Sequence, residues 1–217
     1  MPEPAAAGHD AQKKTLIATE QDPVARTAWR TDITALAPQT LVFLDETSTQ
    51  TVMTRVQARA PRGERIIGRV PRNHGPNVTC LAVVTPTGIT APLVVQGALD
   101  GIVFETWVKE ALVPTLRAGT TVVPDHLSVH KNRAARDLIE AADGTMRFLP
   151  AYSPDFNLIE LAFSKLKTHL RGAAARDYEA LSTAIGAGLS AISATDAAAY
   201  YRHCGDHLPP PELSQPL

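Results

Sequence analysis

The chain has 217 residues, 44% of them hydrophobic and 20% charged, with a formal net charge of −1. That is enough chain for one domain with a sizeable core, and too little charge imbalance for a surface that attracts nucleic acid as a whole, so any DNA contact has to come from local clustering. Cys80 and Cys204 are the only cysteines; they argue against a disulfide scaffold and, with no signal-peptide pattern and no apolar run near the ~18 residues of a membrane helix, give the expectation of a cytoplasmic protein.

Residues 1–38 read as a polar tail or linker, with one short helix-compatible stretch from Val24 to Thr31. The first ordered element is the apolar run Leu41-Val42-Phe43-Leu44, of the kind found in a strand buried on both faces, and it ends on Asp45. Between Thr51 and Gly75 lie Arg55, Arg59, Arg62, Arg65, Arg69 and Arg72 against a single acid, Glu64. Pro61, Gly63, Gly68 and Pro71 forbid a helix there, so short strand and loop carrying a local positive charge are expected.

Val78–Thr85 and Ile89–Val95 flank Pro86-Thr87-Gly88 and predict a hairpin. Phe104, Trp107, Val108, Ala111 and Leu112 recur at helical spacing and predict a helix over 104–116. A short strand at 120–123 leads into Pro124-Asp125; a helix at 132–142, a strand at 146–149, a helix at 157–170 and an alanine-rich helix at about 178–193 follow. The domain is expected to span 39–195, with an extended tail over 196–217. Three strands followed by alternating helices and strands predict an α/β, ribonuclease H-like fold: a mixed five-stranded sheet with helices on both faces.

Asp45 and Asp125 each end a buried strand, and neighbouring parallel strands would bring both to one sheet edge. Two adjacent acids raise each other's pKa unless a cation neutralises them, which Mg²⁺ does with oxygen ligands. Glu160 is the third candidate. It lies in AYSPDFNLIELAFSKLKTHLR (151–171), where Asn157 reads as a helix N-cap and Glu160 as its capping-box partner. Taken singly, each Asp also reads as a turn residue and Glu160 as a cap, and the cap and metal roles of Glu160 are compatible.

LVFLDET (41–47), RAPRGER (59–65), VPTLRAG (113–119), VVPDHLSVHK (122–131) and FLPAYSPDFNLIELAFSKLK (148–167) together resemble the catalytic domain of mariner-type insertion-sequence transposases of the DDE superfamily. Thirty-four residues separate Asp125 from Glu160, the interval associated with that superfamily. The resemblance implies that Asp45, Asp125 and Glu160 form a catalytic, metal-binding triad for Mg²⁺ or Mn²⁺, two ions in number. The implied reactions are hydrolysis of a DNA phosphodiester and strand transfer by the freed 3′-hydroxyl. The expected partners are double-stranded DNA at element ends and target, and a second copy in a dimer or larger synaptic complex.

The chain departs from the pattern at His126, where Asn is usual, and at Leu158, where Pro is usual. His126 and His130 are spaced like two zinc ligands on a helix but fall in a strand-to-helix loop. Glu46, His126, His130 and Asn157 are the expected supporting residues around the triad. No helix-turn-helix module fits the residues before the first strand, so a second reading frame of a two-frame element, or a remnant, is expected. Phosphate contacts are expected from the six arginines of 55–72 and from Lys165 and Lys167, with the bland alternative of a solvated face. The competing functions are a silent DNA-binding regulator that keeps the fold and an enzyme acting on RNA–DNA hybrids.

Overall fold

The computed structural model describes residues 18–205; the expected tails at 1–17 and 206–217 lie outside the described residues. Five strands, β1 (Leu41–Thr49), β2 (Val78–Thr85), β3 (Gly88–Gln96), β4 (Thr121–Val123) and β5 (Thr145–Met146), form one sheet in the order β3-β2-β1-β4-β5. β1, β2 and β3 pair antiparallel, whereas β1, β4 and β5 run parallel. Among the described residues six α-helices pack around it: α1 (Pro23–Thr34), α2 (Gly101–Trp107), α3 (Arg133–Ala141), α4 (Ile159–Ala173), α5 (Tyr178–Ser190) and α6 (Ala194–Cys204).

The twofold side-chain alternation of a strand divides the core in two. Leu41 and Phe43 of β1, with Val78, Cys80, Ala82 and Val84 of β2, face α4, α5 and Tyr201 of α6. Val42, Leu44, Leu81 and Val83 face the other way, against Phe104, Trp107, Leu112 and Ile139. Both faces are dry, which is why the run 41–44 lacks a polar residue. The result is the expected ribonuclease H-like arrangement.

Four local expectations are corrected. The helix expected over 104–116 is α-helical only to Trp107, widens to a π-turn at Val108–Leu112, and closes as a 3₁₀ turn at Val113–Thr115. Pro114 explains the change, since it cannot donate and its ring crowds the carbonyl one turn back. The strand expected at 146–149 forms only at 145–146; Arg147 and Leu149 still donate to the carbonyls of Val122 and Pro124, but Pro124 has no N–H to return. Residues 194–204, which the sequence places mostly in an extended tail, are helical: Ser193 and Asp196 form a reciprocal capping box and Ala197, Ala198 and Tyr201 are buried. Finally, part of the expected linker is α1, capped by Asp22 with Pro at its first turn.

Candidate active site

β1 and β4 pair with Phe43 opposite Val123, and Asp45 and Asp125 each follow two residues later. Parallel pairing therefore puts both carboxyls at the same end of the sheet. Asp45 is only 8% exposed. Its Oδ1 accepts from the Glu46 N–H at 2.7 Å and its Oδ2 from Asn157 Nδ2 at 2.7 Å, on the α4 side. Glu46, the next residue along the strand, serves the opposite side.

There the buried His130 ring sits between two acids. Its Nδ1 donates to Asp125 Oδ1 at 2.6 Å, and Nε2 lies 3.0 Å from Glu46 Oε2. That second contact is an ion pair off the N–H direction, since neither atom makes a well-aligned hydrogen bond. Asp125 Oδ1 also accepts from the Leu127 N–H at 2.8 Å. Phe104 covers the imidazole at 5.2 Å between ring centroids. Both nitrogens of His130 thus face carboxylates, and His126 is exposed with its ring 5.5 Å from Phe148; the two do not act as a zinc pair.

The expected capping box at the start of α4 is absent. Asn157 turns its amide N–H to Asp45 and its Oδ1 caps no helix N–H, so α4 begins at Ile159 with no side-chain cap. The chain enters the helix through a 3₁₀ turn at Pro154–Phe156, and the Asn157 carbonyl accepts from the Glu160 N–H at 3.1 Å. Glu160 is exposed at the edge of a cleft of about 320 Å³ that Asp45, Asp125, His126, Tyr152 and Asn157 also line. Among the described residues no three His, Cys, Asp or Glu side chains converge as a ready ligand set, so the three acids share a cleft without closing around one point.

Burial, reinforced by the charge of Asp125, pushes the Asp45 carboxyl up to about 7. Burial acts on Asp125 in the same sense but is outweighed by the His130 hydrogen bond and the Leu127 N–H, which hold it below the usual range. His130 is pulled down by burial and, more strongly, raised by Asp125 and Glu46, to about 9. One buried imidazolium therefore offsets part of the negative charge of three carboxylates. The donor set suits a hard divalent cation: all oxygen, with one carboxylate that ionises reluctantly in the absence of added positive charge.

The six arginines expected to meet DNA lie in the irregular, exposed segment 51–77, where no strand forms. Its base is fixed by Arg176, whose guanidinium donates to the carbonyls of Thr51 and Met53 at 2.9 and 3.1 Å. Arg55 packs so close to Gly172 that a Cβ there would lie 2.9 Å from the guanidinium. Among the described residues no salt bridge involves Arg59, Arg62, Arg65, Arg69 or Arg72. Lys165 is engaged elsewhere, 2.7 Å from Asp196 at the cap of α6, and Lys167 is half-buried on α4.

Sequence reasoning missed the contact of α1 with the segment before α4, where Arg26 pairs with Asp155 and Trp29 stacks on Phe156. A signal existed: Arg26, Trp29, Arg30 and Ile33 recur at helical spacing.

Residues 40–182 match a family described as DDE superfamily endonuclease. No curated protein matches the sequence. Among solved structures, the pre-cleavage Mos1 transpososome superposes with a TM-score of 0.66 at 14% identity, covering 91% of this chain and 63% of that one. The Mos1 mariner paired-end complex with Mn gives the same TM-score, identity and coverages. The catalytic domain of Mos1 mariner transposase gives a TM-score of 0.60 at 13% identity, covering 89% of this chain and 91% of that one. The chain thus spans less than two thirds of the full transposase chains and nine tenths of the isolated catalytic domain. At these identities the likeness establishes the fold.

Proposed function

The chain belongs to the DDE superfamily endonucleases, and from that premise we propose that it is the catalytic domain of a mariner-type insertion-sequence transposase, which hydrolyses a DNA phosphodiester and transfers the freed 3′-hydroxyl to a target strand. One observation carries the reading: Asp45 and Asp125 each stand two residues beyond the last parallel pair of β1 and β4, side by side at one end of that pairing, and Glu160 borders the cleft they share.

In this reading Asp45, Asp125 and Glu160 hold two divalent ions; the choice of Mg²⁺ or Mn²⁺ is supported by structural neighbours crystallised with Mn and with Mg. Such ions, when bound, activate the attacking oxygen and stabilise the leaving one. The protein's share is placement. Asn157 and the Glu46 N–H fix the Asp45 carboxylate, and His130, backed by Glu46, fixes Asp125. In the first reaction a water oxygen bonds to phosphorus and the P–O3′ bond breaks, leaving a 3′-hydroxyl. In the second that hydroxyl bonds to a target phosphorus and the target's own 3′-oxygen leaves. No covalent protein–DNA bond is needed, and the buried Cys80 thiol, pushed up to about 12, is unsuited to forming one.

The exposed arginines of 59–72 meet phosphate without reading sequence. The structural neighbours are a transpososome and paired-end complexes, so a synaptic dimer on two DNA ends is part of the proposal. Among the described residues no helix is long and apolar enough to cross a membrane, and a protein acting on DNA with reduced cysteines belongs in the cytoplasm.

A second reading, a DNA-binding regulator that keeps the fold without chemistry, draws on the absence of a closed ligand set among the described residues. Plasmid nicking in Mg²⁺ or Mn²⁺ separates the two, with Asp45→Asn, Asp125→Asn and Glu160→Gln alongside. Metal-dependent nicking lost in all three variants supports the enzyme; nicking unchanged in all three sinks the triad; DNA binding without nicking in any form leaves the regulator.

A further inference from the structure

α1 lies outside the matched family region, yet its contacts fall on the segment that delivers Asn157 and Glu160. The Arg26 guanidinium forks onto both oxygens of Asp155, at 2.9 and 2.6 Å, and lies 4.0 Å from the centroid of the Phe156 ring. Trp29 stacks on the same ring at 5.2 Å with an interplanar angle of 11°. Just before α1, the Gln21 amide donates to the Tyr152 carbonyl at 2.8 Å, and Tyr152 holds a left-handed φ of 55°, a conformation a tyrosine rarely adopts unaided. The gripped residues lead directly into Asn157, whose amide is bonded to Asp45, and then into the first turn of α4 and Glu160.

We propose that Arg26 and Trp29 are positioning residues for the metal-binding cleft: by clamping Asp155 and Phe156 they set where Asn157 and Glu160 stand relative to Asp45. This rests on the metal-binding reading proposed above. The logic is one of entropy and leverage. A 3₁₀ turn followed by an uncapped helix start has few bonds of its own to define its position, so a bidentate ion pair and two stacked planes supply the definition from outside. A surface ion pair alone would do little; this one is joined to a nearly buried aromatic ring immediately beside the residue that bonds Asp45. Trp29 contributes by stacking on Phe156 with the two ring planes nearly parallel.

The test is calorimetric titration of Mn²⁺ into the wild-type chain, Asp45→Asn, Arg26→Ala, Arg26→Lys and the reversed pair Arg26→Asp with Asp155→Arg, each far below its melting temperature. Hydrogen exchange of residues 152–161 is followed on the same proteins without metal. Wild type binds and Asp45→Asn does not. Arg26→Ala weakens Mn²⁺ binding by about fivefold, less than the roughly tenfold or greater loss common when a group bonded directly to a ligand is removed, and speeds exchange across 152–161. Arg26→Lys, which keeps the charge but loses the fork, falls between, and the reversed pair recovers most of the affinity. Should Arg26→Ala fail to fold, the lysine variant and the reversed pair decide the matter. Arg26 variants that melt earlier but bind Mn²⁺ as tightly as wild type overturn the proposal and leave a plain structural prop. Wild-type binding that is absent, or indifferent to Asp45→Asn, overturns the metal-binding reading itself and the proposal with it.

Discussion

Burial and the charge of Asp125 push the Asp45 carboxyl up to about 7, from an ordinary 3.8. The folded state therefore holds more proton than the unfolded chain between those values, and stability falls as pH rises through that window. His130 acts in the same direction at higher pH. Its folded value of about 9 lies above the ordinary 6.5, so its contribution is complete below 6.5 and lost as pH climbs through 9. Asp125 is held low, and its contribution is lost only on acidification. Without metal, the melting temperature should therefore peak on the mildly acidic side and decline towards about pH 9, and Mg²⁺ should flatten the decline by neutralising Asp45. A metal-free melting temperature that rises from about pH 5 to about pH 9 would contradict this account. Asp45→Asn should likewise stabilise the metal-free protein near pH 8 by about 1–2 kcal/mol, part of the roughly 4 kcal/mol that three pKa units represent, because water reaches the cleft and relaxes the charge. The asparagine keeps the Glu46 bond through its Oδ1, and a flip of the Asn157 amide presents that residue's Oδ1 to the new amide N–H in place of the Nδ2 that now donates to Asp45. Thermal melts with chelator check it, and the variant should gain nothing from Mg²⁺.

The arginine segment and α4 carry the two sets of expected DNA contacts, and the structure ranks them. Arg59, Arg62, Arg65, Arg69 and Arg72 stand in exposed, irregular chain, whereas Lys165 is bonded to Asp196 at 2.7 Å. Changing those five arginines to alanine should leave the melting temperature nearly unchanged. DNA affinity should fall, and the salt dependence of binding should flatten by ~0.9 for each phosphate that is no longer neutralised. Lys165→Ala should do the reverse, costing about 0.5 kcal/mol at the α6 cap with little change in DNA binding. Anisotropy titrations at several salt concentrations, beside thermal melts, decide the ranking. Elements differed in how legible they were. The start of β1 and the β2–β3 hairpin were readable because apolar runs and Pro-Thr-Gly punctuation are local signals. The place of Asp125 just past β4 was readable for the same reason, but β1 runs on past Asp45 to Thr49 because β2 continues to pair with it, so Asp45 sits within its strand rather than at the end the apolar run suggests. Asn157 was expected beside the triad, but its particular bond was not legible: a helix cap is the local default for asparagine, and the bond to Asp45 reaches across 112 positions. The π-turn after Trp107 is likewise set by how Leu112 packs and by Pro114, which periodicity alone does not weigh.

For the molecule as a whole, the region that matches the family and the region that folds are not the same. The match ends at residues 40 and 182, but the core on the α4 side of the sheet continues past both ends. Ile33 of α1 is buried there, as are Ile185 and Leu189 of α5, Ile192, and Tyr201 of α6. The Tyr201 hydroxyl donates to the Leu41 carbonyl at 2.5 Å, and its ring meets Phe43 edge-on at 5.9 Å. Removing five such side chains would expose the inner face of β1 and α4. At about 1.5–3 kcal/mol for each buried apolar side chain, the loss is on the order of 10 kcal/mol, comparable to the roughly 5–15 kcal/mol by which whole domains are stable. A chain cut to 40–182 should therefore fail to melt cooperatively, whereas 18–205 should retain a single transition. Restoring only 183–205 should recover a folded core with a weakened cleft, because the Arg26 and Trp29 contacts to Asp155 and Phe156 are still missing. Circular dichroism melts of the three chains, with Mn²⁺ titration of those that fold, separate the stabilising end from the positioning one; a 40–182 chain that melts cooperatively near the temperature of 18–205 would show that the family-matched region is a self-sufficient folding unit.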